Sequence, residues 1–94
     1  MARSETLDLT AATWTQLTNA AVSSITFQNQ SDNYLFIAST SDETAPTNLG
    51  GAVRYRPNQG EKDVALSELF SGVSGAARVW GYIREGGAVL VSHA

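Results

Sequence analysis

Apolar and polar residues alternate in short runs along this chain, and almost nowhere do they recur at helical spacing. In Thr6-Leu7-Asp8-Leu9-Thr10 the two leucines fall two apart and share one face of a strand. Trp14, Gln16 and Thr18 alternate with Thr13, Thr15 and Leu17 in the next segment. Residues 22–30 are rich in β-branched side chains and place Ile25 and Phe27 two apart. Residues 33–39 (NYLFIAS) are apolar on both faces, the pattern of a central strand covered on both sides. The polar cluster Gln30-Ser31-Asp32-Asn33 between them predicts a hairpin turn.

From residue 40 to residue 51 the periodicity lapses around Pro46 and the pair Gly50-Gly51, and this length of unpatterned chain marks the candidate functional loop. Alternation resumes over residues 52–56 and stops at Pro57, where Pro57-Asn58-Gln59-Gly60 has the residue types of a tight turn. Val64-Ala65-Leu66 reads as a short strand. Residues 67–70 read as one helical turn or a strand edge, with Ser67 as its N-cap. A loop at residues 72–75 precedes a strand over residues 78–84, and Glu85-Gly86-Gly87 predicts a hairpin onto residues 88–92. About seven to eight short strands, with turn signals roughly every ten residues, predict an all-β fold. The expected architecture is a small antiparallel β-sandwich, jelly-roll-like, or a barrel, formed as one domain over residues 1–94.

The strand over residues 78–84 carries the most specific expectation. Trp80 and Tyr82 share one face, bracketed on that face by Arg78 and Arg84, with Val79 and Ile83 opposite. If Val79 and Ile83 enter the core, the two aromatic rings point outward. There they lie half-buried with their polar atoms at the rim, or serve an interface for which Trp14 and Tyr55 are further candidates, or form a sugar platform for which Tyr34 is a candidate as well.

Composition narrows the classes. A chain of 94 residues has a thin core, burying about 60–65% of its unfolded surface, and folds of this size usually add disulfides, a metal or oligomerisation. There is no cysteine and one histidine, which excludes disulfides, argues against a Cys/His metal site and leaves a homo-oligomer. Charged residues make up 16% against about 25% in an average domain, and Ser, Thr, Asn and Gln fill 28 positions. Such a surface can be buried against a neighbour without stranding charges, although a threonine-rich habit is also common in β proteins. The net charge of −3, with Arg54 and Arg56 as the one local basic pair, argues against nucleic acid. No apolar run approaches the roughly 18–20 residues that would cross a membrane. The polar opening of the chain lacks an apolar signal segment, so synthesis in the cytoplasm is expected.

No catalytic constellation emerges. His93 lies one residue from the end of the sequence, where a frayed position is a poor one for a base, and it is expected to be solvent-exposed or at an interface. The carboxylates cluster at predicted turns, and the glycine pairs precede no helix that would cradle a phosphate. Catalytic, cofactor-binding and metal-ligating residues are therefore expected to be absent, and no cofactor is expected.

Several segments together resemble a known class of protein: Ile25-Thr26-Phe27-Gln28-Asn29-Gln30-Ser31, Pro46 with Gly50-Gly51, Arg78-Val79-Trp80-Gly81-Tyr82, and the ending Val89-Leu90-Val91-Ser92-His93-Ala94. Over residues 22–94 the chain resembles small β-sandwich accessory proteins of tailed phages and gene-transfer-agent particles. The resemblance implies a virion protein that decorates the head, forms a head-spike base or attaches a fibre. It implies a trimer or pentamer in contact with a capsid, spike or fibre protein. It does not cover the segment before residue 22, which in such proteins is often an attachment arm; residues 1–21 are expected to form such an arm or edge strands, and the resemblance carries over no catalytic residue. Two other readings stay open, a carbohydrate-binding module and an adhesin-like domain. A glycan binder would expose two or more coplanar aromatic rings, whereas an assembly protein would cover them.

Overall fold

The computed structural model describes residues 2–94, which form eight strands and one helical turn. In chain order these are β1 (Arg3–Leu9), β2 (Thr15–Gln16), β3 (Ser24–Asn29), β4 (Leu35–Thr40), β5 (Val53–Tyr55), β6 (Gly60–Ala65), α1 (Leu66–Leu69), β7 (Arg78–Tyr82) and β8 (Gly87–His93). They build two four-stranded antiparallel sheets with strand orders β1-β8-β3-β6 and β2-β7-β4-β5. This is the jelly-roll arrangement of a β-sandwich. Among the connections between described strands, only β4 to β5 joins neighbours within one sheet; the others cross the sandwich.

Strand alternation fills the interior. Ile25 and Phe27 from β3, with Val89 and Val91 from β8, meet Leu35 and Ile37 from β4 and Val79 from β7, all at most 1% exposed. Leu17 and Ile83, next to the strand ends, close the core and are fully buried. Within the segment expected to form an attachment arm or edge strands, Arg3–Leu9 and Thr15–Gln16 pair as edge strands of the two sheets: β1 along β8, and β2 on β7.

Two expected hairpins are corners. Residues 30–33 and 85–87 do reverse the chain, but each carries it from one sheet to the other. At the first corner the tie is Asn29, whose side chain is fully buried. Its Nδ2 donates to the Asn33 carbonyl at 2.7 Å and to the Tyr55 carbonyl, on the opposite sheet, at 3.3 Å. Its Oδ1 accepts from the Ser31 N–H at 3.0 Å and the Ser31 hydroxyl at 2.7 Å. At the second corner Gly86 and Gly87 hold φ of 79° and 151°, and a Cβ on Gly87 would sit 2.5 Å from that of Ser31. Only glycine fits such a turn out of the sheet plane.

Three other expectations change. β6 begins at Gly60 rather than near residue 64, and it carries a β-bulge. Between the pairs Ile25–Val64 and Phe27–Glu61, Thr26 faces both Lys62 and Asp63. Asp63 takes φ of 46° and donates its N–H to Thr26 Oγ1 at 2.8 Å. This offset disguises the alternation of the strand. The helical turn is capped at Ala65 with no side-chain bond, so Ser67 is not its N-cap. His93 is not frayed: it pairs with Arg3 as the last residue of β8 and is 8% exposed.

Candidate functional site

β7 lies between β2 and β4, and its register sets what shows on the outside of that sheet. Gly81 faces inward, where an added Cβ would press on Leu9 and Leu17 side chains at 3.1 to 3.3 Å. Val79 and Ile83 are fully buried, so Trp80 and Tyr82 lie on the outer face. Trp80 is opposite Gln16 on one side and Ala38 on the other, and Tyr82 is opposite Phe36. Trp14, just before β2, brings its ring centroid to 5.3 Å from Tyr82, tilted by 52°. Phe36 approaches Tyr82 from the other side at 6.2 Å and 79°. The face is thus an aromatic cluster packed by edges and tilts, with no coplanar platform among these three rings.

Trp80 is 7% exposed yet stands outside the main core cluster. Its indole Nε1–H donates to Thr40 Oγ1 at 2.8 Å, and the Thr40 hydroxyl donates onward to the Asp42 carbonyl at 2.6 Å. Arg78, next along the same face, pairs with Glu43 at 3.1 Å. Two outer-face residues therefore hold the foot of the long β4–β5 loop. Within that loop Asp42 accepts the Thr44 N–H and Asn48 accepts the Gly50 N–H, turns of the kind short polar side chains make.

Of the candidates from sequence, Trp14, Arg78, Trp80 and Tyr82 come together on this face. Arg84 lies beyond the end of β7 and lines a cleft with Arg54 and Arg56. Tyr55 is a correction. It pairs with Leu35 in the inward register, is 6% exposed and packs edge-on against Phe27 at 5.0 Å and 84°. Its hydroxyl donates to Glu61 Oε2 at 3.1 Å. Burial, then the neighbouring Glu61 charge and that hydrogen bond, push the phenol well above its usual pKa. Phe36 and Tyr34 belong to the outer face as well, and of these Phe36 was not singled out from sequence. The signal was the two-sided apolar character of residues 33–39, whose outward cover is this aromatic cluster.

The two outer faces differ sharply. Of eight aromatic residues, Phe27, Tyr55 and Phe70 are in the core, while Trp14, Tyr34, Phe36, Trp80 and Tyr82 lie on the β2-β7-β4-β5 side. The opposite outer face carries none. Its β3 and β8 present Thr26, Gln28 and Ser92, and a side-chain chain of hydrogen bonds runs from Thr6 through Gln30 and Gln28 to the Asn58 carbonyl. Neither protein-family models, nor curated proteins, nor solved structures match this chain.

Proposed function

We propose that this chain is a non-enzymatic structural protein of a phage-like particle, associating as a symmetric oligomer through the outer face of β2-β7-β4-β5. The observation that supports this reading is the segregation of five of the eight aromatic residues to that one face, opposite an outer face that carries none of them. Aromatic side chains and arginine are both enriched in interface cores, and on this side Phe36, Trp80 and Tyr82 stand beside Arg54 and Arg78. The tilted packing of Trp14, Tyr82 and Phe36 favours a protein neighbour over a flat sugar platform. Jelly rolls recur in viral capsid proteins, an analogy at the level of fold alone. A trimer or pentamer would then meet a capsid, spike or fibre protein through its remaining surface.

Light scattering coupled to size-exclusion chromatography at micromolar concentration tests the assembly. The expected mass is three or five times the 10.0 kDa of the chain. A 10.0 kDa species whose stability is unchanged on dilution overturns the proposal. Particle association is read separately, by whether the protein sediments with particles released from the producing cells.

A further inference from the structure

Where the aromatic face ends, the β3–β4 corner, β5 and the β7–β8 corner enclose an open cleft of about 570 Å³. That volume falls in the range of small-ligand sites, roughly 300–1,000 Å³. Its charges are unevenly placed for a chain of net charge −3. Of six basic residues, Arg3 is paired with Glu5 and Arg78 with Glu43. Three of the other four, Arg54, Arg56 and Arg84, line this single cleft, without an ion-pair partner among the described residues. Asp32 and Glu85 line it as well. Three arginines against two carboxylates leave one positive charge in excess. That balance suits a monoanion, whereas a phosphate dianion or a polyanion would bring more negative charge than the cleft offsets.

The chemistry of the lining narrows the ligand further. Arg54 holds its guanidinium carbon 4.9 Å from the centroid of the Tyr34 ring. Stacking of this kind orders the side chain while leaving its in-plane N–H groups free to fork onto a carboxylate. Tyr34 itself is 49% exposed, and beside it Phe36 adds apolar surface to the cleft. Asp32 and Glu85, when ionised, can only accept hydrogen bonds, so a ligand beside them must bring donors. An acidic sugar brings all three together: a carboxylate, several hydroxyl donors and an apolar ring face.

We infer that this cleft binds an acidic sugar residue. The carboxylate lies on Arg54 within the field of Arg56 and Arg84, the hydroxyls donate to Asp32 and Glu85, and the C–H face of the ring rests on Tyr34, the exposed aromatic residue of the cleft. The inference stands on the arginines and Tyr34 at the margin of the aromatic face and does not require the oligomer proposed above, whose contact centres on Phe36, Trp80 and Tyr82.

Nuclear magnetic resonance titration of the ¹⁵N-labelled protein tests it with three probes: the methyl glycosides of glucuronic acid, galacturonic acid and N-acetylneuraminic acid. Methyl glucoside and acetate serve as controls, each lacking one half of the recognition. At least one acidic sugar should give saturable shifts confined to residues 32–36, 54–57 and 84–85, and bind at least about tenfold more tightly than either control. Arg54→Gln should weaken that binding about tenfold or more, the scale of a charged hydrogen-bonded contact. Arg54→Lys should recover little of it, because the fork is lost while the charge remains. Arg84→Gln provides a second variant at an exposed position should the first perturb the fold. Three results overturn the inference: no saturable shift with any of the three sugars, acetate binding as tightly as they do, or a glutamate-rich peptide producing the same shifts at lower concentration.

Discussion

Tyr55 and Trp80 both stand among arginines in the sequence, yet they have opposite surroundings in the fold. Tyr55 is flanked directly by Arg54 and Arg56, which alternate to the outside, so its own ring turns inward onto Phe27. Trp80 is two residues from Arg78 and shares its outward face, where Thr40 takes its indole proton. The parity of the arginine neighbours thus carried the information, and Tyr55 was legible by the same alternation that placed Trp80. Its consequence can be measured by pH. Burial, together with the Glu61 charge, favours the neutral phenol in the folded state and raises its pKa above the unfolded value near about 10. The folded protein therefore holds that proton over a range where the unfolded chain has released it. The resulting stability is fully present below about pH 10 and is lost as pH rises beyond it. Urea midpoints compared between pH 8 and 11 should fall more steeply for the wild type than for Tyr55→Phe. At neutral pH Tyr55→Phe should cost only about 1 kcal/mol, the worth of one hydrogen bond. Parallel slopes for the two proteins would show that Tyr55 does not carry this pH dependence.

At the scale of elements, alternation revealed which residues are strands and which side of each strand faces the core, because a period of two is a local property. It did not distinguish a hairpin from a corner. Residues 30–33 and 85–87 have the polar and glycine-rich composition of either, and what decides between them is a contact distant in sequence. At the first corner that contact is the Asn29 amide reaching the Tyr55 carbonyl, 26 residues away. The bulge at Lys62 and Asp63 hid the start of β6 for a related reason, since one extra residue inverts the alternation on its far side. Asn29→Ala would leave the Ser31 N–H and the buried Tyr55 carbonyl without this partner, while the Asn33 carbonyl keeps the Ser31 hydroxyl at 3.1 Å. Each orphaned buried group costs about 1–3 kcal/mol, and water can reach some of them, so a total loss of about 2–4 kcal/mol is expected. Guanidinium denaturation should show a lower midpoint with an unchanged slope. A loss under about 0.5 kcal/mol, the scale of an ordinary surface substitution, would mean that Asn29 does not tie the sheets together at this corner.

At the scale of the whole molecule, the amount of exposed surface does not call for a partner. The chain exposes 5095 Å², close to the roughly 5,200 Å² expected for a monomeric protein of 10.0 kDa. What sets it apart is how that surface is divided, and a matched pair of charge insertions reads the division directly. Gln28 and Phe36 both point outward, are both half-buried and both lie on interior strands, β3 of one sheet and β4 of the other. Replacing either with lysine adds the same single charge to the same chain. On the polar face, Gln28→Lys can extend its ammonium into water, and the mass in solution should match the wild type. On the aromatic face, Phe36→Lys would carry an unpaired ammonium into a closed contact, a cost of several kcal/mol per interface. Its alkyl stem can still lie along Tyr82 and keep part of the packing within the chain. Phe36→Lys should therefore run as a 10.0 kDa monomer with the circular dichroism of an intact sheet. If Gln28→Lys dissociates the assembly and Phe36→Lys does not, the contacting face is β1-β8-β3-β6, and the aromatic cluster serves only to cover its own sheet.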